Sequence, residues 1–220
     1  MASTAHLLPL DGGLRAAGVR RAGEVAAQPR GTVASGFLPL DAVLPGGGWP
    51  RGALVEMQLA NPGVGELQLL GGALTQTDRA GRVAFLDPPA EPGVAALQAL
   101  GLAARSITVT RSMAPRDWRW AAEQLARSGA FAAVLFWSPA PLDDRLARRL
   151  SLAIAAGGGL GFVFGPPSTR TNSVPLRLGL RSDGATLRVD VLKRRGPPAP
   201  PVRVERSHAL ASLPFPIART

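Results

Sequence analysis

The segment Ala60-Asn61-Pro62-Gly63-Val64-Gly65-Glu66-Leu67 joins an apolar run, 53–59, to a helical pattern that begins at Val64. A phosphate-binding loop of the form G-x-x-x-x-G-K-[S/T] lies at such a junction, where backbone amides cradle the phosphates. Its lysine neutralises their charge and its hydroxyl ligates magnesium. Here Glu66 and Leu67 stand at those two positions. The segment therefore predicts the shape of a nucleotide loop without its chemistry, and no bound ATP is expected.

The length and composition fit one folded domain of ordinary size. The chain has 220 residues, 46% of them hydrophobic. No apolar run approaches the roughly 20 residues that span a bilayer, and the N-terminus lacks the basic start of a secretory signal. Without cysteine, the chain forms no disulfide and no thiolate metal site. We expect a cytoplasmic protein that does not enter a membrane and holds no metal.

The net charge of +10 comes almost entirely from arginine, because Lys193 is the only lysine. This balance favours an acidic partner, either a nucleic acid or an acidic protein surface. Abundant arginine together with alanine, glycine and proline is also typical of a GC-rich coding sequence. The two explanations weigh equally, so the positions of the arginines matter more than their number.

Strand and helix patterns alternate through the middle of the chain. The predicted strands are 53–59, 82–86, 106–110, 131–137 and 160–164, and the predicted helices are 64–77, 93–100, 115–128 and 142–156. The strands are short apolar or β-branched runs, and several helices begin or end at proline or glycine. Buried strands separated by helices indicate a mostly parallel sheet that is covered on both faces.

A hairpin follows this alternating part. The stretches 176–181 and 187–192 alternate apolar and polar residues around Ser182-Asp183-Gly184, which is typical of two antiparallel strands with one buried face. Basic residues lie on the polar face and beyond the second strand, namely Arg177, Arg181, Arg188, Lys193, Arg194 and Arg195. They are candidates for contact with a nucleic acid or a partner protein. A solvated outer face is the alternative, and the pattern slightly favours it.

The two ends of the chain differ from its middle. Residues 1–35 are a predicted N-terminal arm, 36–196 the core, and 197–220 a proline-rich linker with a tail. The prolines after residue 196 favour an extended backbone. Apolar residues of the tail are candidates for ordering on a partner protein, namely Leu210, Leu213 and Phe215.

The approach to the loop carries a motif. The pattern Leu40-Asp41-x-x-Leu44-x-Gly46-Gly47-Gly48-x-Pro50-x-Gly52, followed by Glu56 on a strand, resembles the RecA core. The blocks 44–54 and 62–67 are more similar to the translesion DNA synthesis-associated ImuA family, which is RecA- and SulA-like. The resemblance extends from Gly36 to Gly196. It implies an α/β RecA-like core, with a mostly parallel central sheet flanked by helices and ending in an antiparallel hairpin.

The resemblance also permits a test for ATPase chemistry. A RecA-type ATPase needs an aspartate after a buried strand to organise magnesium and a glutamate to activate water. Trp137 stands in place of that aspartate and Pro89 in place of that glutamate. With the lysine absent as well, we expect no enzyme activity. Glu66 is then expected to cap the amides at the start of its helix by taking the place of the anion.

The function implied by the resemblance is that of a non-catalytic accessory factor of SOS-induced, error-prone translesion DNA synthesis, acting through protein contacts in a mutasome. The implied partners are an ImuB-type inactive Y-family polymerase, an error-prone DnaE-type polymerase and RecA, with direct DNA contact left open. Two alternatives are a RecA-like DNA-dependent ATPase or recombination factor and a SulA-type inhibitor of cell division. The ImuA-like glutamate loop stands against the SulA alternative.

Three structural predictions concern single side chains. Trp118 and Trp120 cannot lie on one face of a helix, so one is expected in the core and the other half-exposed. Asp87 ends a predicted strand and precedes two prolines, which indicates a turn former. The pair Asp143-Asp144 near a helix start indicates capping rather than metal binding.

Overall fold

A computed structural model describes residues 31–78, 81–112 and 114–205. Most of the predicted arm lies outside the described residues. The same holds for the candidate tail residues Leu210, Leu213 and Phe215.

An eight-stranded sheet organises the chain. The strands are β1 (Thr32–Val33), β2 (Trp49–Pro50), β3 (Leu54–Leu59), β4 (Arg82–Leu86), β5 (Ile107–Thr110), β6 (Phe131–Trp137), β7 (Leu160–Gly165), β8 (Leu176–Asp183), β9 (Thr186–Lys193) and β10 (Val202–Glu205). The main sheet has the order β10-β9-β8-β3-β7-β6-β4-β5, and β1 and β2 form a small antiparallel sheet. All pairs from β8 to β5 are parallel, whereas β8, β9 and β10 pair antiparallel. The predicted fold class, a RecA-like α/β core ending in a hairpin, is confirmed.

Helices cover both faces of the parallel strands. The described residues form α1 (Leu38–Asp41), α2 (Glu66–Asp78), α3 (Val94–Ala99), α4 (Pro115–Arg127) and α5 (Asp144–Gly157). Helices α1, α2 and α3 pack against one apolar cluster, and α4 and α5 pack against a second cluster on the opposite face. In these parts of the chain no helix is long and apolar enough to cross a bilayer.

Strand β3 lies at the centre of the sheet, between β7 and β8. All six of its residues are buried. Val55, Met57 and Leu59 belong to the cluster under α2. Because side chains alternate along a strand, Glu56 and Gln58 point to the other face. The loop that follows β3 therefore lies at the middle of the carboxyl edge of the sheet.

The tryptophan and aspartate predictions are confirmed on α4 and α5. Trp118 is buried against Phe136, whereas Trp120, two residues on, is 67% exposed. Asp143 precedes α5, and its side chain accepts a hydrogen bond from the backbone N–H of Leu146 at 2.8 Å. The capping of α5 thus satisfies a helical N–H group that has no partner inside the helix.

The glycine block before β2 permits a close approach of two chain segments. A Cβ atom on Gly48 would lie 2.5 Å from the carbonyl oxygen of Val33. Only glycine lets β1 lie against β2 at this distance. The contact also buries Val33 in the cluster under α2.

The folded core is longer than predicted at both ends. At its start, β1 precedes the predicted boundary at residue 36, and at its end β10 follows the predicted boundary at 196. Val202 and Val204 of β10 belong to the main apolar cluster. The boundary at 196 was wrong because the prolines form a short connection after which the chain pairs with β9. Four alternating residues are too few to stand out as a strand in the sequence.

Replacing Val204 by alanine tests the assignment of β10 to the core. We expect Val204→Ala to lower the free energy of unfolding by about 1–3 kcal/mol, because buried methyl groups are lost. Urea denaturation measures the change. The control is Arg203→Ala on the exposed face of the same strand, and an equal loss in both variants would contradict the assignment.

Candidate functional site

Glu66 closes the loop between β3 and α2. Its two carboxylate oxygens accept hydrogen bonds from the backbone N–H of Gly63 at 2.9 and 3.1 Å, and one of them accepts from the N–H of Gly65 at 3.2 Å. Glu66 is only 4% exposed, so its carboxylate is shielded from solvent while it contacts the loop. Amides that would cradle a phosphate here hold a carboxylate of the chain itself. Glu66 therefore takes the place of an anion as predicted, but on loop amides that precede α2 rather than on amides of the helix itself.

The backbone of the loop depends on glycine. Gly63 has a φ of 88° and Gly65 a φ of 116°. Residues that carry a side chain rarely adopt such positive φ angles. This conformation turns two nearby N–H groups toward the same carboxylate. The loop thus retains an anion-binding shape, and the anion comes from the first residue of α2.

A shallow cavity of about 300 Å³ lies beside the loop, at the carboxyl ends of β3, β4, β6 and β7. Its lining is mainly apolar and includes Leu59, Pro62, Pro89, Trp137, Phe164 and Pro166. The structure thus brings Pro89 and Trp137 to the same edge as the loop. This is where α/β proteins bind ligands, and the lining presents mostly apolar side chains there, with Asp87 as its one carboxylate.

Asp87 lines the same cavity, but its carboxylate is engaged by Ser112, just beyond the end of β5. The residue has a φ of 50°, and its carboxylate accepts hydrogen bonds from the backbone N–H of Ser112 at 2.7 Å and from the hydroxyl of Ser112. Its own N–H donates to the carbonyl of Thr110 at 2.9 Å. Asp87 therefore lies at a bend after β4, but its carboxylate joins the ends of β4 and β5 rather than closing a local turn.

Four polar side chains form a buried network on the face of β3 opposite α2. Glu56 accepts hydrogen bonds from Arg177 Nε at 2.8 Å, from Asn172 Nδ2 at 2.7 Å and from Gln58 Nε2 at 3.0 Å. Gln58 in turn accepts from the backbone N–H of Ser168 at 3.1 Å. The network joins β3, β8 and the connection 166–175 that crosses between β7 and β8. A buried carboxylate is tolerated here because a cation and two amides satisfy it.

The connection 166–175 is held to α5 as well as to β3. Asn172 Nδ2 also donates to the carbonyl of Leu142 at 3.3 Å, just before α5. Ser173 reaches Asp144 at the start of that helix. Desolvation raises the pKa of Asp144, but hydrogen bonds from Ser173 and the charge of Arg148 outweigh it, and the pKa lies below its ordinary value. The connection is therefore anchored at several points along its length.

The prediction of Arg177 as a surface contact is wrong. Its side chain is 7% exposed and forms an ion pair with Glu56 at 2.8 Å. The period-two pattern placed Arg177 on the same face as Arg181 and Arg188, but the connection 166–175 covers that face beside β3. Glu56 then requires a buried counter-charge, which Arg177 supplies.

The other predicted basic residues do not form one free cationic surface. Arg181 and Arg188 both pair with Asp190 at 2.9 Å. Lys193 donates to the carbonyl of Asn172 at 2.7 Å, and Arg194 donates to the carbonyl of Val43. Arg195 follows at the turn after β9. Most of these charges therefore serve structural contacts, while Arg181 remains largely exposed.

A groove of about 710 Å³ lies between the connection 166–175 and the outer face of β8 and β9. Its lining includes Gln58, Ser168, Arg181, Asp190 and Leu192. The groove carries both signs of charge and an exposed leucine. A continuous phosphate backbone favours a uniformly basic surface, so this lining suits a peptide better than a nucleic acid.

Three residues of this region are not among the predicted contact residues: Gln58, Asn172 and Asp190. Two of them had a detectable signal. Glu56 and Gln58 are polar residues in an otherwise apolar run, which indicates buried polar partners. Asp190 lies between basic residues on one face of the hairpin. Asn172 gave no signal, because its contacts join segments that are distant in the sequence.

No protein-family model matches this chain, and no curated protein matches it significantly. In the parts of the chain that the structure describes, no group of three or more histidine, cysteine, aspartate or glutamate side chains could hold a metal ion.

Replacing Glu66 by alanine tests the capped loop. We expect Glu66→Ala to lower the free energy of unfolding by about 1–3 kcal/mol, because the amides of Gly63 and Gly65 lose their acceptor. Phosphate or ADP should then raise the melting temperature of the variant but not that of the wild type. The control is Glu91→Ala, at an exposed glutamate outside the loop. Equal ligand-induced shifts of the melting temperature in the wild type and in Glu66→Ala would contradict the assignment.

Two arginines of β8 provide a matched test of the buried network. We expect Arg177→Met to lower the free energy of unfolding by about 3–5 kcal/mol, since it leaves the Glu56 carboxylate buried without a cation. Arg181→Met removes an exposed pair and should cost about 0–1 kcal/mol. Chemical denaturation of both variants measures the difference, and similar values for the two would refute the role of Arg177.

Proposed function

We propose that this chain is a non-catalytic, RecA-like accessory protein of SOS-induced, error-prone translesion DNA synthesis, which acts in the cytoplasm through protein contacts within a mutasome. The contact of Glu66 with the amides of Gly63 and Gly65 carries the proposal. It supports a RecA-like fold that assembles without ATP. The assignment to translesion DNA synthesis is inferred from the resemblance of blocks 44–54 and 62–67 to the ImuA family.

The absence of catalysis rests on three positions at one edge of the sheet. The Glu66 carboxylate would repel a triphosphate from the loop amides. Trp137 and Pro89 line the adjacent cavity in place of groups that organise magnesium and water. These features support a pseudo-ATPase that needs no cofactor. What remains for function is the surface of the fold.

The proposed partners are an ImuB-type inactive Y-family polymerase, an error-prone DnaE-type polymerase and RecA. Protein contacts are favoured over direct DNA binding, because Arg177 is buried and Arg181 and Arg188 share an acidic partner. The groove beside the hairpin, with its mixed charge, also favours a protein partner.

The proposal predicts copurification and a mutagenesis phenotype. We expect the full chain to copurify with the two polymerases, and its deletion to abolish the increase in mutations after DNA damage. Purified protein should show no DNA-dependent ATP hydrolysis. Hydrolysis that is lost on changing Glu66 would instead favour a recombination ATPase. Filamentous cells on overexpression, without polymerase binding, would favour a SulA-type inhibitor.

The candidate tail residues need a test that leaves the core intact. Truncation after Gly196 would remove β10 and the buried Val202 and Val204. Substitution by serine at Leu210, Leu213 and Phe215 avoids this loss. We expect the triple variant to keep its melting temperature and to lose copurification with a polymerase. Undiminished copurification would refute the role of the tail.

A further inference from the structure

Two large apolar side chains lie exposed on the outer surface of α4 and α5. Trp120 is 67% exposed and Leu152 is 68% exposed. The other three tryptophans of the chain, Trp49, Trp118 and Trp137, are buried. Large apolar side chains left in water are unfavourable, and tryptophan contributes strongly when an interface buries it.

An ion pair relates the two exposed side chains to one another. Arg149 of α5 contacts Glu123 of α4 at 2.7 Å and so joins the helices. Trp120 lies one turn before Glu123, and Leu152 lies one turn after Arg149. Both helices connect parallel strands of one sheet, so they run in the same direction. The two apolar side chains therefore lie at opposite ends of a surface centred on the ion pair.

Two arginines complete this surface. Arg127 lies one turn after Glu123 on α4, and Arg145 lies one turn before Arg149 on α5. Within residues 31–78, 81–112 and 114–205, neither forms an ion pair, whereas Arg149 is balanced by Glu123. We name this surface the α4–α5 patch; its members are Trp120, Glu123, Arg127, Arg145, Arg149 and Leu152. Apolar side chains occupy one diagonal of the patch and unpaired cations the other.

We infer that the α4–α5 patch binds an acidic, amphipathic segment of a partner protein. Apolar side chains of that segment would cover Trp120 and Leu152, and its carboxylates would pair with Arg127 and Arg145. Tryptophan and arginine are the side chains that most often dominate protein interfaces. A nucleic acid is the weaker fit, because a sugar–phosphate backbone would not cover Leu152. The inference rests on the proposed function, in which the segment belongs to one of the two polymerases.

Paired variants of the full chain test the patch against each purified polymerase. We expect Trp120→Ala/Leu152→Ala and Arg127→Glu/Arg145→Glu each to weaken binding by about tenfold or more. The matched controls are Leu38→Ala/Val94→Ala, which removes exposed apolar side chains elsewhere, and Arg51→Glu/Arg105→Glu, which makes the same change of charge. Both controls should bind like the wild type. Circular dichroism verifies that each variant is folded.

A spectroscopic measurement on otherwise wild-type protein gives a second result. The chain is labelled with 5-fluorotryptophan, and the ¹⁹F signal of residue 120 is assigned with Trp120→Phe. We expect the polymerase to shift this signal and to leave the signals of the three buried tryptophans in place. Absence of wild-type binding to both polymerases would overturn the proposed function and the patch together. Binding that leaves the signal and the variants unaffected would overturn the patch alone. A shift caused by a single-stranded oligonucleotide and not by a polymerase would replace the protein partner with nucleic acid.

Discussion

The buried ion pair between Glu56 and Arg177 is the contact on which the arrangement of the central strands depends. Strands β7 and β8 flank β3, so the chain between them must cross β3, and that crossing segment, 166–175, contains no helix. The carboxylate of Glu56 accepts hydrogen bonds from Arg177 of β8 and from Asn172 of the crossing segment. Removing two charges from water is costly, and the extra amide hydrogen bonds offset that cost. Polar contacts thus hold this connection against the sheet, whereas the helical connections between the other parallel strands are held by apolar packing.

A second carboxylate governs the carboxyl edge. Glu66 lies on the amides of Gly63 and Gly65, and the neighbouring cavity is lined by apolar rings. Together these features place a carboxylate and apolar rings of the chain at the carboxyl edge of the sheet. The carboxylate thereby gives the loop amides just before α2 an acceptor within the chain.

The parallel part of the sheet was predictable because its signals are local. Continuous apolar strands such as 131–137, and the glycine and proline residues that bound the helices, depend on neighbours in the sequence. The capping role of Glu66 was predictable for the same reason, since its partners are one and three residues away. Strand β10 and the burial of Arg177 were not predictable, because each is decided by a segment far along the chain.

The sequence by itself determined the fold class, the absence of a lysine after Gly65 and the opposite faces of Trp118 and Trp120, because these follow from spacing and side-chain chemistry. Only the tertiary structure decided which arginines are available for contact. Arg177 is buried by a crossing segment, whereas Arg127 and Arg145 come to one surface because α4 and α5 pack side by side. Burial and proximity arise when distant segments meet, and no local pattern records them.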